Sequence, residues 1–314
     1  GGLLAGLLML TCSSSSMAEI IRYGLVSPEG HLWTEVMQQF KAEVERAAGD
    51  SLHVKESRQV KVRGESYITE MLNNGQVQVA IVAVGGLTTY DPALNAWLVP
   101  YQFSNAEQLI KAARGEEART MLANLGNYHL VGLGYAFSGM RQILSKTPIS
   151  SVADLKGKRV NSFPNDVFYN WYRQLGAEPH VVQIQDVMVQ LQEGKLDAID
   201  SDLGTIAGLG LYEQAPWLML SNHMASAGVF VVSKKWWSAL TPERQELIRQ
   251  AAGKAEQWGF EHLAQSERDH LRLLRDKGIK VTNVKEEDFG EVPQKLRNFY
   301  SATNPRIKQF AEAL

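Results

Sequence analysis

The residues best suited to chemistry are charged and polar groups set at the ends of apolar runs. Arg141 follows one such run, HLVGLGYAF, by way of Ser138-Gly139-Met140. Its planar guanidinium can grip a carboxylate through two parallel hydrogen bonds, or it can tie the domain to a surface carboxylate. Asp200 and Asp202 flank Ser201 after a second run that ends in Ile199. Asp166 opens an aromatic-rich stretch, a position where a carboxylate suits a helix N-terminus. Glu65 and Glu29 lie in loops, and Glu29 reads as a solvated turn residue. Tyr23, His31 and Trp33 are further polar and aromatic groups near the amino end that could line a cleft. These types support recognition rather than turnover. The one cysteine, Cys12, stands near the amino end, and the seven histidines are scattered, with no HExxH and no pair four residues apart. A metal site is therefore not expected. Neither a GxxxxGK[ST] loop nor a GxSxG elbow is present, and Gly132, Gly134 and Gly139 miss the dinucleotide spacing, so no cofactor is expected. No nucleophile–base pair stands out, which argues against an enzyme.

The elements that must position these groups follow from periodicity. Ile20–Leu25 reads as a strand. Leu32, Val36, Phe40 and Val44 recur every fourth residue, which predicts a helix over His31–Ala48. Leu52–Glu56 alternates as a second strand, and this β-α-β opening favours a parallel sheet. Ser57–Gly64 reads as a polar loop, Ser66–Asn74 as a short helix, and Val77–Val84 as a strand buried on both faces. Ligand sites in such sheets lie beyond the carboxyl ends of the strands, which singles out the loops Ser27–His31, Ser57–Gly64 and Gly85–Thr89. A helix over about Asn105–Leu125 and a strand over His129–Phe137 come next. A second β-α-β region follows: strand Lys158–Val160, helix Asp166–Leu175, helix Gln185–Glu193 and strand Leu196–Ile199. After a connector, Val229–Ser233 is a strand. Thr241-Pro242 then starts a helix that runs without a breaker to about Lys277, apart from Gly253 and Gly259. A helix of that length can brace two domains.

The chain of 314 residues suits two domains of ordinary size. Its 45% hydrophobic and 21% charged residues fit a soluble globular protein, and a net charge of −2 excludes a generally basic surface, so nucleic acid is not an expected partner. Residues 1–18 differ from the rest. The apolar run Leu3–Leu10, a serine tract and Ser16-Met17-Ala18 read as the end of a secretory signal peptide cut after Ala18. Lipid attachment at Cys12 is the rival reading. Either way the expected compartment is the periplasm.

Several segments, in order, carry a resemblance. "LVPYQF" at Leu98–Phe103, "SGMRQILS" at Ser138–Ser145, "DLKGKRV" at Asp154–Val160, "LGAEPHVVQIQDVMVQLQEGKLDAID" and "SKKWWSALTPERQELI" at Ser233–Ile248 resemble signatures of the DctP-type substrate-binding proteins of tripartite ATP-independent periplasmic (TRAP) transporters. The resemblance implies a two-domain α/β fold like that of other periplasmic binding proteins, a ligand cleft between the domains, and the long helix as an inter-domain brace. Domain I would comprise 19–138 plus 227–266, and domain II 139–226 plus 267–314. The partners implied are a small organic solute, most readily an organic acid, and the permease subunits of a TRAP transporter, with the binding protein acting as a monomer. A sensory module and a periplasmic hydrolase are the competing classes.

The resemblance also assigns site residues. It places a ligand-contacting arginine at Arg141 and a polar ligand contact at Ser201. The family's dominant carboxylate-binding arginine falls on Asn161, which cannot supply charge. Arg159, two residues earlier in the strand, could take over if the register slips. Otherwise the ligand's key group is an amide, a polyol, an amine or a zwitterion. Phe163, beside Asn161, is the aromatic best placed to pack on a ligand. Ile184 occupies a position that is often aromatic in the family. The expected ligand-binding set is Arg141, Asn161, Ser201, Phe163, Asp200, Tyr23, His31 and Glu65.

Overall fold

The computed structural model describes residues 17–314. The expected leader through Ser16, with Cys12, lies outside them. Nine strands form one mixed sheet: β1 (Glu19–Gly24), β2 (Leu52–Glu56), β3 (Val79–Ala83), β4 (Leu130–Ser145), β5 (Arg159–Ser162), β6 (Glu178–Val181), β7 (Ala198–Asp202), β8 (Trp217–Ser233) and β9 (Lys280–Asn283). Their order is β2-β1-β3-β8-β4-β7-β5-β6, with β9 paired to β8. The β-α-β openings give parallel pairs, β1 with β2 and β3 on one side, β5 with β6 and β7 on the other. The parallel expectation stops there. β8 runs antiparallel to β3, and β4 antiparallel to both β8 and β7.

Two long strands join the halves. The carboxyl-terminal part of β8 pairs with β3 and its first part with β9, while β4 starts beside the end of β8 and ends beside β7. The β4–β8 register shifts at Gly132/Gly134, at Phe137/Met140 and at Arg141/Ile143. Such bulges bend a strand and increase its twist, so each long strand can serve both lobes. The sequence marks only Val229–Ser233 of β8, because the polar run Ser221-Asn222-His223 breaks the apolar pattern ahead of it. Asn222 also has a positive φ of 47°.

The helix Pro242–Asp276 is as long as its pattern predicts, with Thr241 at the N-cap. It packs on the helix Leu32–Ala48, and a Cβ on Gly259 would meet Val36 Cγ2 at 2.8 Å. Two of its carboxylates, at 256 and 267, lie eleven residues and so about three turns apart, on one face. Both reach β4 at bulges. Glu256 accepts the Tyr135 N–H at 2.6 Å and two bonds from Arg119, at 2.8 and 3.1 Å. Glu267 accepts the Met140 N–H at 3.1 Å. It lies over Gly139, whose φ of 81° requires glycine and whose missing Cβ leaves room for the carboxylate. Burial pushes the Glu267 carboxyl up to about 7.

Three other expectations change. Ser57–Gly64 contains a helix, Arg58–Arg63, rather than a plain loop. The helix expected over Asn105–Leu125 is two helices, Ala106–Arg114 and Glu116–Asn124, divided at Gly115, whose ψ of 161° is extended. The last helix, Pro305–Glu312, packs on the first lobe although its sequence position suggested the second. Phe310 lies 4.8 Å from the Trp97 ring, within a cluster that also holds Phe103, Tyr135 and Phe137, and Arg306 pairs with Asp91 at 3.0 Å.

Candidate functional site

The carboxyl ends of the parallel strands of the two lobes face one another across a cavity of about 440 Å³. β1 contributes Val26–Pro28, β3 the turn at Gly85–Tyr90, β5 Asn161–Pro164, β6 the segment Val181–Gln185, and β7 Asp200–Asp202. This is where ligand sites are expected in open α/β sheets. The volume falls within the roughly 300–1,000 Å³ of small-molecule sites.

The second-lobe wall is a connected network. Arg141 pairs with Asp202 across β4 and β7, and Asp200 stands opposite Ile143. Arg141 donates from Nε to Asp200 Oδ1 and from Nη2 to the Asp200 carbonyl at 2.8 Å. Its guanidinium carbon lies 5.5 Å from the Phe163 ring centre and 5.1 Å from that of Phe168. Nη1 has no protein acceptor among the described residues. The other carboxylate oxygen of Asp200 accepts from the Tyr172 hydroxyl and faces His223 Nε2 at 2.8 Å. Asp200 N–H donates to Asn161 Oδ1 at 2.7 Å, which fixes the amide so that Asn161 Nδ2 is the uncommitted end. Burial pushes the Asp200 carboxyl up, but Arg141 and His223 outweigh it and hold it at about 2. Burial likewise pushes Arg141 down, and Asp200 and Asp202 more than restore it, so the guanidinium stays charged.

A second network crosses between lobes. His31 caps the helix Leu32–Ala48: its Nδ1 accepts the Trp33 N–H at 3.1 Å, which puts the ring proton on Nε2. Nε2 faces Asp202 Oδ1 at 3.1 Å. Asp202 also accepts from Ser138, Ser226 and Thr205, so its oxygens are saturated. Burial raises its carboxyl, but His31 and then Arg141 bring it well below the usual carboxylate range. Farther round the rim, Asn165 Nδ2 donates to Thr88 Oγ1 at 2.9 Å and Asn95 Oδ1 at 2.8 Å, and Gln183 Nε2 donates to Ser66 Oγ at 3.1 Å. A Cβ on Gly85 would touch the Phe163 ring at 3.6 Å. The lobes are thus in contact around the cavity.

The first-lobe wall is sparser. Glu65 opens a 3-10 turn, Glu65–Tyr67, and its Oε1 accepts the Ala83 N–H at 2.5 Å. Burial raises its carboxyl above the ordinary glutamate value, although the Ala83 bond and the charge of Arg141 oppose the shift.

Seven of the eight expected ligand-binding residues line this cavity: Arg141, Asn161, Ser201, Phe163, Asp200, His31 and Glu65. Trp33 and Ile184 line it as well. Tyr23 is a correction. It is buried in the first-lobe core, with its hydroxyl 3.4 Å from Gln38 Nε2, because β1 aims it at the helix rather than past the strand end. Arg159 does not take the alternative role that a register slip would have given it. Its guanidinium forks onto Asp197 with two bonds of 2.9 Å, at the start of β5 and about 7 Å of strand before Asn161, so it does not replace the missing arginine. The loop Ser57–Gly64 supplies no lining residue. Sequence reasoning missed Tyr172, His223 and Asn165. Asn165, an N-cap before an aromatic-rich helix, carried a readable signal. His223 carried none, since its partner lies 23 residues away on another strand.

Comparison with known proteins decides the family. The profile of DctP, the bacterial extracellular solute-binding proteins of family 7, matches residues 23–306. The chain belongs to that family. The DctP-family protein is 23% identical to the C4-dicarboxylate-binding protein DctB of Bacillus subtilis over 238 residues, 75% of this chain and 68% of that relative. A TRAP periplasmic solute-binding protein of Pseudomonas putida F1, solved with bound D-glucuronate, superposes with a TM-score of 0.88 at 23% identity, covering 94% of this chain and 97% of the other. One from Shewanella oneidensis, with bound succinate, gives 0.87 at 20% identity, covering 94% and 98%. The DctP-family fold, two lobes around a cleft, is thus shared. Among the described residues of this chain, no helix is long and apolar enough to cross a membrane, and no three His, Cys, Asp or Glu side chains are placed to hold a metal ion.

Proposed function

We propose that this DctP-family protein captures a small organic acid between its lobes, in the periplasm, and delivers it unchanged to the membrane permease of a TRAP transporter. The observation that carries this reading is Arg141. Asp200 holds its guanidinium in place by two bonds, while Nη1, like Asn161 Nδ2 on the same cavity wall, has no protein partner among the described residues. Two donors, one of them charged, can take the two oxygens of a carboxylate. Ser201 and Phe163 complete that end of the site. The expected division, residues 19–138 with 227–266 and residues 139–226 with 267–314, gives the two bodies, save that the last helix packs on the first, and the bulges of β4 and β8 act as the hinge. A ligand touching both walls favours the closed arrangement. The protein works as a monomer, and solved relatives with acids bound lend the reading further support.

A thermal-shift screen with organic acids, amino acids and amines tests it. A solute that binds only the folded state raises Tm by mass action. Shifts with acids that vanish in Arg141→Ala are expected. Shifts with amines alone, or turnover of the bound solute, would overturn the reading.

A further inference from the structure

We propose that Glu65 sets the class of acid: the site takes a monocarboxylate whose far end carries hydrogen-bond donors, and it shuts out dicarboxylates. This rests on the carboxylate reading of Arg141 and narrows it. Family membership leaves the choice open, because relatives hold both kinds of acid.

The cavity has one donor pole and one acceptor pole. Among the described residues, Arg141 is the only arginine or lysine lining it. With Asn161 where a second cation would serve, the second-lobe wall can neutralise one carboxylate. On the first-lobe wall Glu65 presents Oε2, which has no protein partner among the described residues, while Oε1 is occupied by the Ala83 N–H. No lysine or arginine among the described residues stands on that wall to offset it. A ligand anchored at Arg141 and long enough to bridge the cleft brings its far end to Glu65. A second carboxylate there would meet a like charge, a repulsive arrangement of the kind that gives binding sites their selectivity. A hydroxyl or an ammonium would instead donate to Glu65, with Ser66, Thr69 and Gln185 nearby for further hydrogen bonds.

Local geometry makes the repulsion effective. Gly64 has a φ of 88°, and a Cβ there would overlap the side chains of Gln183 and Gln185 from the opposite lobe. The glycine lets those glutamines close over the Glu65 turn, and Gln183 bonds to Ser66 next to it. The charge therefore sits under the cleft rim and away from bulk solvent, where salt screens it poorly.

The test is calorimetric titration of the ligand-free protein at pH 7.5 with D-glucuronate, serine, succinate and hexanoate. At least one of the first two should bind about tenfold or more tightly than both succinate and hexanoate. Which of the two leads tells whether the donors are hydroxyls or an ammonium. Glu65→Gln keeps an acceptor for the Ala83 N–H and removes the charge. It should narrow the gap between succinate and the preferred acid by about tenfold. Succinate binding as tightly as the donor-bearing acids in the unmodified protein overturns the proposal, whether or not the variant folds. An unchanged gap in a Glu65→Gln protein that melts like its parent overturns it too. Hexanoate equal to the best acid shows that donors are not required and has the same force. If none of the four binds while putrescine does, the organic-acid reading falls, and this inference with it.

Discussion

The two walls of the cavity are built on different principles. The second-lobe wall is carried by strands: Arg141 on β4, Asn161 on β5, and Asp200 and Ser201 on β7. Its groups hold one another, so that Asp200 alone engages Arg141, Tyr172, His223 and Asn161. The first-lobe wall is carried by turns and helix starts, and Glu65 is fixed there by one backbone bond. The lesson is a division of labour. On the proposed function, the more heavily bonded wall sets the position of the charged group, and the less bonded wall is left to discriminate among solutes.

The sharpest way to break this contrast is Asp200→Ala. The Asp200 side chain is fully buried and that of Arg141 is 11% exposed, so the change strands a buried cation. Stability should fall by about 3–5 kcal/mol, read from the denaturant midpoint. A loss no greater than that of an ordinary surface substitution would show that the network is not what holds this wall.

Arg141→Ala should weaken binding of the acid by about 2–4 kcal/mol, roughly a hundredfold, measured by titration calorimetry. An unchanged Kd would remove Arg141 from the site.

Glu267 sharpens the comparison from beneath, because it holds the Met140 N–H next to Arg141. Its folded value of about 7 lies above the ordinary 4.5, so the folded state holds the proton more tightly than the unfolded chain. The resulting stability is fully present below pH 4.5 and is lost as pH rises through 7. Glu267→Gln should remove that pH dependence, on the order of 2 kcal/mol after allowing for partial exposure. Parallel pH–stability curves for the two proteins would refute the shift.

Phe163→Ala should cost binding about 1 kcal/mol, since the ring is half-buried and reaches across to Gly85. The smallest effect belongs to the loose wall. Ser66→Ala should change stability by less than about 0.5 kcal/mol, because Ser66 is exposed and gives up one bond to Gln183. A large loss there would erase the difference between the walls.

The same difference explains what could be read from sequence. Arg141, Asn161 and Ser201 follow apolar or strand-like runs, and strands leave period-two and motif signals that place their ends. Glu65 and His31 were legible as loop residues near strand ends. Tyr23 was misplaced because one strand position decides whether a side chain meets the core or the cleft, and a short run does not fix that register. Arg159 stayed open in the sequence for a related reason. Residues two apart share a face, yet only the one nearer the carboxyl end reaches the cavity. His223 and Tyr172 stayed invisible because their meaning lies in a shared partner, Asp200, that comes from a third element. The full length of β8 was hidden by its own polar centre, although that centre sits beside the site.

The two strands that run through both lobes also bear on how the chain folds. β3 finds its antiparallel neighbour only at 228–232, and β4, already paired to β7, finds its longer partner at 217–233. Neither lobe has a complete sheet until residues beyond 217 have joined. The native contacts of each lobe therefore span most of the sequence, which slows folding and ties both lobes to one event. An amino-terminal fragment ending before β8 lacks the strand that joins β3 to β4. Unfolding should accordingly follow a single transition rather than two, even though the proposed capture of solute moves two bodies about a hinge.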